Sequence, residues 1–132
     1  MKTACAFMLL FTAGFVASAQ NTHPLPTGES ISLTQYSDNS NYSFIRSDAR
    51  GAIIESGSYK AGLPDGTWMN YNPNGTVSGK GNYANGKKDG EWTFFSMQGS
   101  PAYAVTFHDG KRIQAVQLDE RGNTLAETKT KE

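Results

Sequence analysis

Asp65 and Asp89 stand twenty-four residues apart, each immediately before a glycine, and they are the first place in this chain to look for chemistry. A pair of carboxylates flanking a glycosidic bond can act as acid, base or nucleophile. These two occupy the same slot of a repeated segment, however, and equivalent positions in successive repeats line an edge instead of converging on one substrate. An aspartate before a glycine also shapes turns, because its carboxylate accepts hydrogen bonds from nearby backbone. The expectation is a structural pair, each aspartate bonding its own turn.

His23 precedes Pro24, and His108 lies beside Asp109 at an expected hairpin turn. A metal site needs three or four ligands converging from rigid elements, which two separated histidines do not supply, so no metal and no cofactor are expected. Cys5 is the only cysteine, and it falls in a segment that reads as removable. That leaves no thiol nucleophile. The serines lack the G-x-S-x-G setting of an activated hydroxyl, and the glycine-rich stretch 75–86 lacks the lysine and helix start of a phosphate-binding loop. No catalytic residue is assigned, and the chain reads as noncatalytic.

Aromatic side chains remain as candidates for recognition. Trp68 and Trp92 suit core rings stacked over glycine, while Trp68 and Tyr71 differ in strand parity and so cannot share a face. One face therefore carries an aromatic strip, and the candidate partner-binding residues are Tyr59, Trp68, Tyr71, Tyr83, Trp92 and Phe95. Such a strip on a small exported protein serves a protein partner or a sugar platform.

What must position these residues is a tandem repeat. Gly57, Tyr59, Gly62, Asp65, Gly66, Trp68, Tyr71 and Gly75 recur twenty-four residues later as Gly81, Tyr83, Gly86, Asp89, Gly90, Trp92, Phe95 and Gly99. The same step forward places Phe107 in the tyrosine slot, Gly110 in the glycine slot, Val105 in the slot of Gly81 and Val116 in the tryptophan slot. The step backward places Phe44 on the tryptophan position, Gly51 on the closing glycine, and Leu33 and Gln35 in the slots of Gly57 and Tyr59. Stacked repeats need such weaker outer copies as caps.

Short runs containing Tyr and Trp, separated by the glycine-bearing segment 61–66, predict strand, turn, strand in each unit. Asn72-Pro73-Asn74-Gly75 predicts a tight connection to the next unit, with proline presetting φ and Asn-Gly tolerating left-handed backbone. Residues 37–41 predict a turn between two earlier strands, with Ile31 and Leu33 on one face of the first and Tyr42, Phe44 and Arg46 on one face of the second. No apolar stripe of helical period follows the N-terminal segment. The fold class is all-β: an elongated antiparallel sheet of consecutive hairpins, about eight strands over residues 30–125, preceded by a mobile leader at 20–29 and followed by a charged, fraying tail at 126–132.

Residues 1–19 read as an export signal: Lys2, an apolar run of roughly 13 residues against the ~20 needed to span a bilayer, then Ala17-Ser18-Ala19. The expected product starts near Gln20, has no transmembrane segment, and is periplasmic or extracellular. Twelve basic and twelve acidic residues balance, and the lysines form no stripe, which excludes nucleic acid and a polybasic membrane patch.

The pattern G-x-Y-x-x-G-x-x-D-G-x-W-x-x-Y-x-x-x-G, carried by the sixteen residues named above, resembles the bacterial variant of the MORN repeat. The likeness is strongest over 57–99 and weakens toward Phe44 and Leu125. It implies hairpin repeats used in protein or membrane association, with no catalytic residues to carry over. The antitoxin role attached to many such arrays does not suit a chain with an export signal. The resulting expectation is an exported protein-interaction or scaffolding module at the cell envelope. The alternative is a glycan- or cell-wall-binding module using exposed aromatics.

Overall fold

The computed structural model describes residues 20–35 and 40–130. Residues 1–19, read above as an export signal, and most of the turn expected at 37–41 lie outside the described residues.

Eleven strands form one antiparallel sheet: β1 (Gln20–Pro24), β2 (Ser30–Gln35), β3 (Asn41–Ser47), β4 (Ile53–Lys60), β5 (Leu63–Pro64), β6 (Gly66–Tyr71), β7 (Val77–Ala84), β8 (Lys87–Phe95), β9 (Pro101–His108), β10 (Lys111–Leu118) and β11 (Thr124–Lys129). Each strand pairs with its sequence neighbour in an unbroken meander, except that the two-residue β5 pairs with the end of β4 and β6 continues the path. The all-β hairpin architecture is as the repeat predicts. The expected limits fall short at both ends. Residues 20–24 are not a mobile leader, because β1 pairs with β2 from Gln20↔Thr34 to Pro24↔Ser30. The charged tail likewise pairs through Lys129, opposite Gln114. Alternating polar residues that look like a linker are sufficient for an edge strand, where only one side must be paired.

The two long margins of the sheet use different turns. Along one, the pairs Ala61-Gly62, Asn85-Gly86 and Asp109-Gly110 all take positive φ, between 49° and 81°. These are two-residue turns whose twist matches paired strands. Along the other, five turns repeat one pattern, of which residues 72–76 are representative: Gly75 N–H donates to the Asn72 carbonyl at 2.9 Å, and Asn72 N–H to the Thr76 carbonyl at 2.8 Å. Gly75 has φ +85°, the left-handed position that closes a three-residue hairpin loop.

Asp65-Gly66 and Asp89-Gly90 are not at the reversals, contrary to expectation. Asp89-Gly90 lies within β8 and Asp65-Gly66 at the junction of β5 and β6, and each pair forms a bulge. Asn82 pairs with Asp89 and Lys80 with Thr93, so Gly81 alone faces the longer stretch from Gly90 to Trp92. Tyr59↔Pro64 and Ser56↔Met69 bracket the same irregularity one unit earlier. A bulge of this kind kinks its strand and re-aims a side chain, here the tryptophan that follows.

Little of a single-layer sheet can be deeply buried. Phe44, Trp68 and Trp92 form the buried centre, with Ile31, Leu33, Tyr59, Tyr83, Phe94 and Phe107 packed against it on the same face.

Candidate functional site

The aromatic ladder is the dominant feature of this face. Phe44 stacks on Trp68 at 5.2 Å between ring centroids, and Tyr59 meets both rings edge-on at 5.7 and 5.5 Å. Tyr83 then bridges Trp68 and Trp92, edge-on to each at 5.5 and 5.2 Å. Lys88 Nζ continues the series, 4.4 Å from the Trp92 ring and 5.2 Å from Phe107. Edge-to-face pairs suit the ring quadrupole, and a cation over two ring faces adds attraction.

Each tryptophan lies directly over a glycine. A Cβ at Gly57 would come within 2.3 Å of the Trp68 ring, and one at Gly81 within 2.1 Å of Trp92. The indole N–H groups are bonded too, Trp68 Nε1 donating to the Ser58 carbonyl at 3.1 Å and Trp92 Nε1 to the Asn82 carbonyl at 3.0 Å. The two tryptophans thus have equivalent glycine floors and hydrogen-bond acceptors one repeat apart. Burial lifts the Tyr83 hydroxyl above its ordinary pKa, with the negative charge of Glu55 adding to the effect.

Of the six candidate recognition aromatics, the structure brings four together and separates two. Trp68 and Trp92 are 6% and 3% exposed, which makes them core and leaves no ring face for a ligand. Tyr59 and Tyr83 are half-buried between them. Tyr71 points away from the ladder, its hydroxyl 3.2 Å from Ser56 Oγ. Phe95 ends β8 one residue beyond Phe94, the ring that joins the core-packed set, and it is half-buried.

The polar candidates lie along the two-residue-turn margin. Asp65 Oδ1 accepts from the Asn85 backbone N–H of the next turn at 3.4 Å, so it tethers its neighbour's turn and not its own. Asp89 is 3.9 Å from His108 Nδ1, and Lys87 Nζ donates to Asp109 Oδ1 at 2.8 Å, which holds the Asp109 carboxyl below its ordinary pKa. Backbone bonds from Gly86 N–H to the Pro64 carbonyl and from Gly110 N–H to the Lys88 carbonyl, both 2.9 Å, complete the stitching. His23 is exposed on β1, far along the sheet from His108. Among the described residues no group of three or more metal-ligating side chains occurs, and no helix is long and apolar enough to cross a membrane.

Two concavities flank the ladder. At the N-terminal end, Ile31, Leu33, Tyr42, Phe44, Tyr59 and Gly62 line an almost wholly apolar groove of about 330 Å³. Leu33 pairs directly with Phe44 there, and the parity of β2 and β3 read from the sequence already puts these side chains in pairs on common faces. At the C-terminal end a cavity of about 550 Å³ contains Tyr103 and Gln117, neither of which sequence reasoning singles out. The available signal was negative. Stepping back twenty-four residues from Tyr103 reaches Gly79, so this ring has no counterpart in the preceding unit.

No protein-family model matches the chain, and no curated protein matches it. The site is therefore described by its own geometry: a closed aromatic spine between an apolar groove and a cavity of mixed lining with one exposed ring.

Proposed function

We propose that this is an exported, noncatalytic repeat protein of the MORN-like kind that binds a protein partner at the cell envelope and serves as a scaffold. The observation that carries the reading is the groove walled by Ile31, Leu33, Tyr42, Phe44 and Tyr59. It is apolar, concave and continuous with the packed ladder, so an apolar anchor seated there meets a rigid floor. Rigid pockets of this sort concentrate binding energy at protein interfaces. Packing of Trp68 and Trp92 favours this reading over a sugar platform built on those two rings. The sequence features at Lys2, the apolar run and Ala17-Ser18-Ala19 support export.

The test is an affinity capture with the mature chain, residues 20–132, from the envelope fraction of its own host. A specific protein retained by the wild type and lost with Leu33→Asp, while circular dichroism remains unchanged, supports the reading. Equal capture by both chains overturns the groove as the contact surface. Retention of the precursor in the cytoplasm overturns export.

A further inference from the structure

We propose that the cavity beside Tyr103 is a binding subsite for a neutral saccharide. It uses residues separate from the apolar groove and stands independently of the protein-binding reading.

Tyr103 is 52% exposed, and among the described residues it is the one aromatic side chain left exposed. Its ring is not among those packed against the core. The corresponding slots one and two units earlier hold Gly79 and Glu55, and the Phe94 ring already lies over Gly79, 3.3 Å from where a Cβ would stand. Tyr103 is held firmly nonetheless, paired with Phe94 on β8 and Gln117 on β10. Directly opposed residues share a face, so Tyr103 and Gln117 project side by side into the cavity.

The rest of the lining fits one ligand class. Pro101 and Leu125 give apolar walls, and Gln98, Gln117 and Glu120 give polar ones. A pyranose presents a face of C–H groups ringed by hydroxyls. The C–H face suits an exposed aromatic ring, and the hydroxyls need partners that both donate and accept, which amides provide. A carboxylate such as Glu120 accepts two hydroxyl bonds. No hydrogen bond within the described residues engages the side chains of Gln98, Gln117 or Glu120. Asp119 is already committed to its own turn, accepting from Arg121 N–H at 2.9 Å and Asn123 N–H at 2.8 Å. Because the lining holds Asp119 and Glu120 and no cationic side chain, it disfavours anionic sugars and phosphates. At about 550 Å³ the cavity is within the ~300–1,000 Å³ usual for small-ligand sites.

The test is a titration of the mature chain with three probes, a β-1,4-linked glucose tetrasaccharide, an N-acetylglucosamine tetrasaccharide and an anionic galacturonic acid trimer, followed by NMR. Saturable shifts of the Tyr103 and Gln117 resonances with at least one neutral probe, and none with the anionic one, are expected. Tyr103→Ala should weaken binding by at least roughly tenfold, while Tyr103→Phe should stay within about threefold and Gln117→Ala should fall between. Because the ring is exposed, circular dichroism should be unchanged by Tyr103→Ala; if that variant fails to fold, Gln117→Ala and Glu120→Ala carry the test. The proposal is overturned if neither neutral probe saturates at ~10 mM, if the anionic probe binds equally, or if Tyr103→Ala binds like the wild type. Loss of protein capture with Tyr103→Ala, without any sugar response, would assign the ring to a protein interface and also overturn it.

Discussion

The two central units and the C-terminal unit follow the same meander, yet they fill the space between their strands differently. In the centre a glycine, a two-residue bulge and a tryptophan act as one device: Gly66-Thr67 or Gly90-Glu91 kinks the strand, and the ring that follows lies on Gly57 or Gly81. In the C-terminal unit Arg112 pairs with Phe107 and Gln114 with Thr106, leaving Ile113 as the single extra residue. One residue has been lost from the bulge. Ala115, not Val116, therefore stands opposite Val105, and two modest aliphatic side chains occupy the place of ring and bare backbone. Val116 turns to the opposite face, across from the buried Ala104. The comparison shows that the glycine is required by the ring over it and not by the strand itself.

The most severe way to break the central device is to remove the ring. Trp92→Ala should cost about 3–5 kcal/mol, the range for deleting a large buried aromatic, whereas Val116→Ala in the outer unit should cost roughly 0.5–1.5 kcal/mol for a half-buried aliphatic. Urea denaturation of the two variants measures the difference. Similar midpoints would mean that stability is spread evenly along the sheet.

Gly81→Val attacks the same device from below. Its Cβ would sit 2.1 Å from the Trp92 ring, so the ring must move, and overpacking costs about 1–3 kcal/mol. Asp89→Ala should cost less than about 0.5 kcal/mol, because among the described residues its one ion-pair neighbour is His108, at 3.9 Å on the surface. Val105→Ala, in the equivalent slot of the outer unit, should fall between them. Thermal melts rank the three, and a Gly81→Val protein that melts like wild type would remove the ring-over-glycine account.

A gain-of-feature variant sharpens the comparison. Val105→Gly with Ala115→Trp restores the central pair of residues without the missing bulge residue, and it should lower stability by about 1 kcal/mol through the added glycine and the poorly seated ring. Inserting one glycine after Arg112 in that background should recover the loss and shift tryptophan emission toward that of a buried indole. If the uninserted double variant is already blue-shifted and stable, the bulge is not what aims the ring.

Much of this was legible in the sequence because the repeat is strict where packing is strict. Gly57, Gly81, Trp68 and Trp92 are fixed by contact, and their phase gives the sheet, the hairpins and the glycine beneath each ring. The misreadings have separate physical sources. A dipeptide such as Asp89-Gly90 signals positive φ, and positive φ serves a bulge as readily as a turn; only the pairing register distinguishes them. A fixed twenty-four-residue step likewise cannot see that one residue is absent near Ile113. Edge strands β1 and β11 escaped because half their backbone bonds and most of their side chains face solvent, which leaves a weak hydrophobic alternation. The shared faces of β2 and β3 were readable from parity but the groove they form was not, because it depends on how the side chains of neighbouring strands meet, and Tyr103 could be noticed only as a ring where the repeat places none.

The smallest expected effect is a difference in acid sensitivity between outer and central turns on the three-residue-loop margin. Asp48 accepts from the Ala52 and Arg50 backbone N–H groups, both at 2.9 Å, and Asp119 accepts in the same way from Arg121 and Asn123. The corresponding central positions are Asn72 and Ser96, which carry no charge. Bonding to Ala52 lowers the Asp48 pKa from its ordinary 3.8, and bonding to the Asn123 side chain and backbone does the same for Asp119. A depressed folded-state pKa means that each carboxylate contributes stability above the unfolded value and loses it as pH falls through the lower folded value. Acid should therefore loosen the turns at 48–52 and 119–123 before those at 72–76 and 96–100. Amide hydrogen exchange compared between about pH 6 and about pH 2.5, as protection factors, should show Ala52 and Asn123 losing protection while Thr76 and Ser100 change little. Asp48→Asn with Asp119→Asn should abolish the contrast, since the amide oxygen still accepts the bonds but no longer titrates. A uniform loss at all four amides would show that acid acts on the sheet as a whole and not through these two carboxylates.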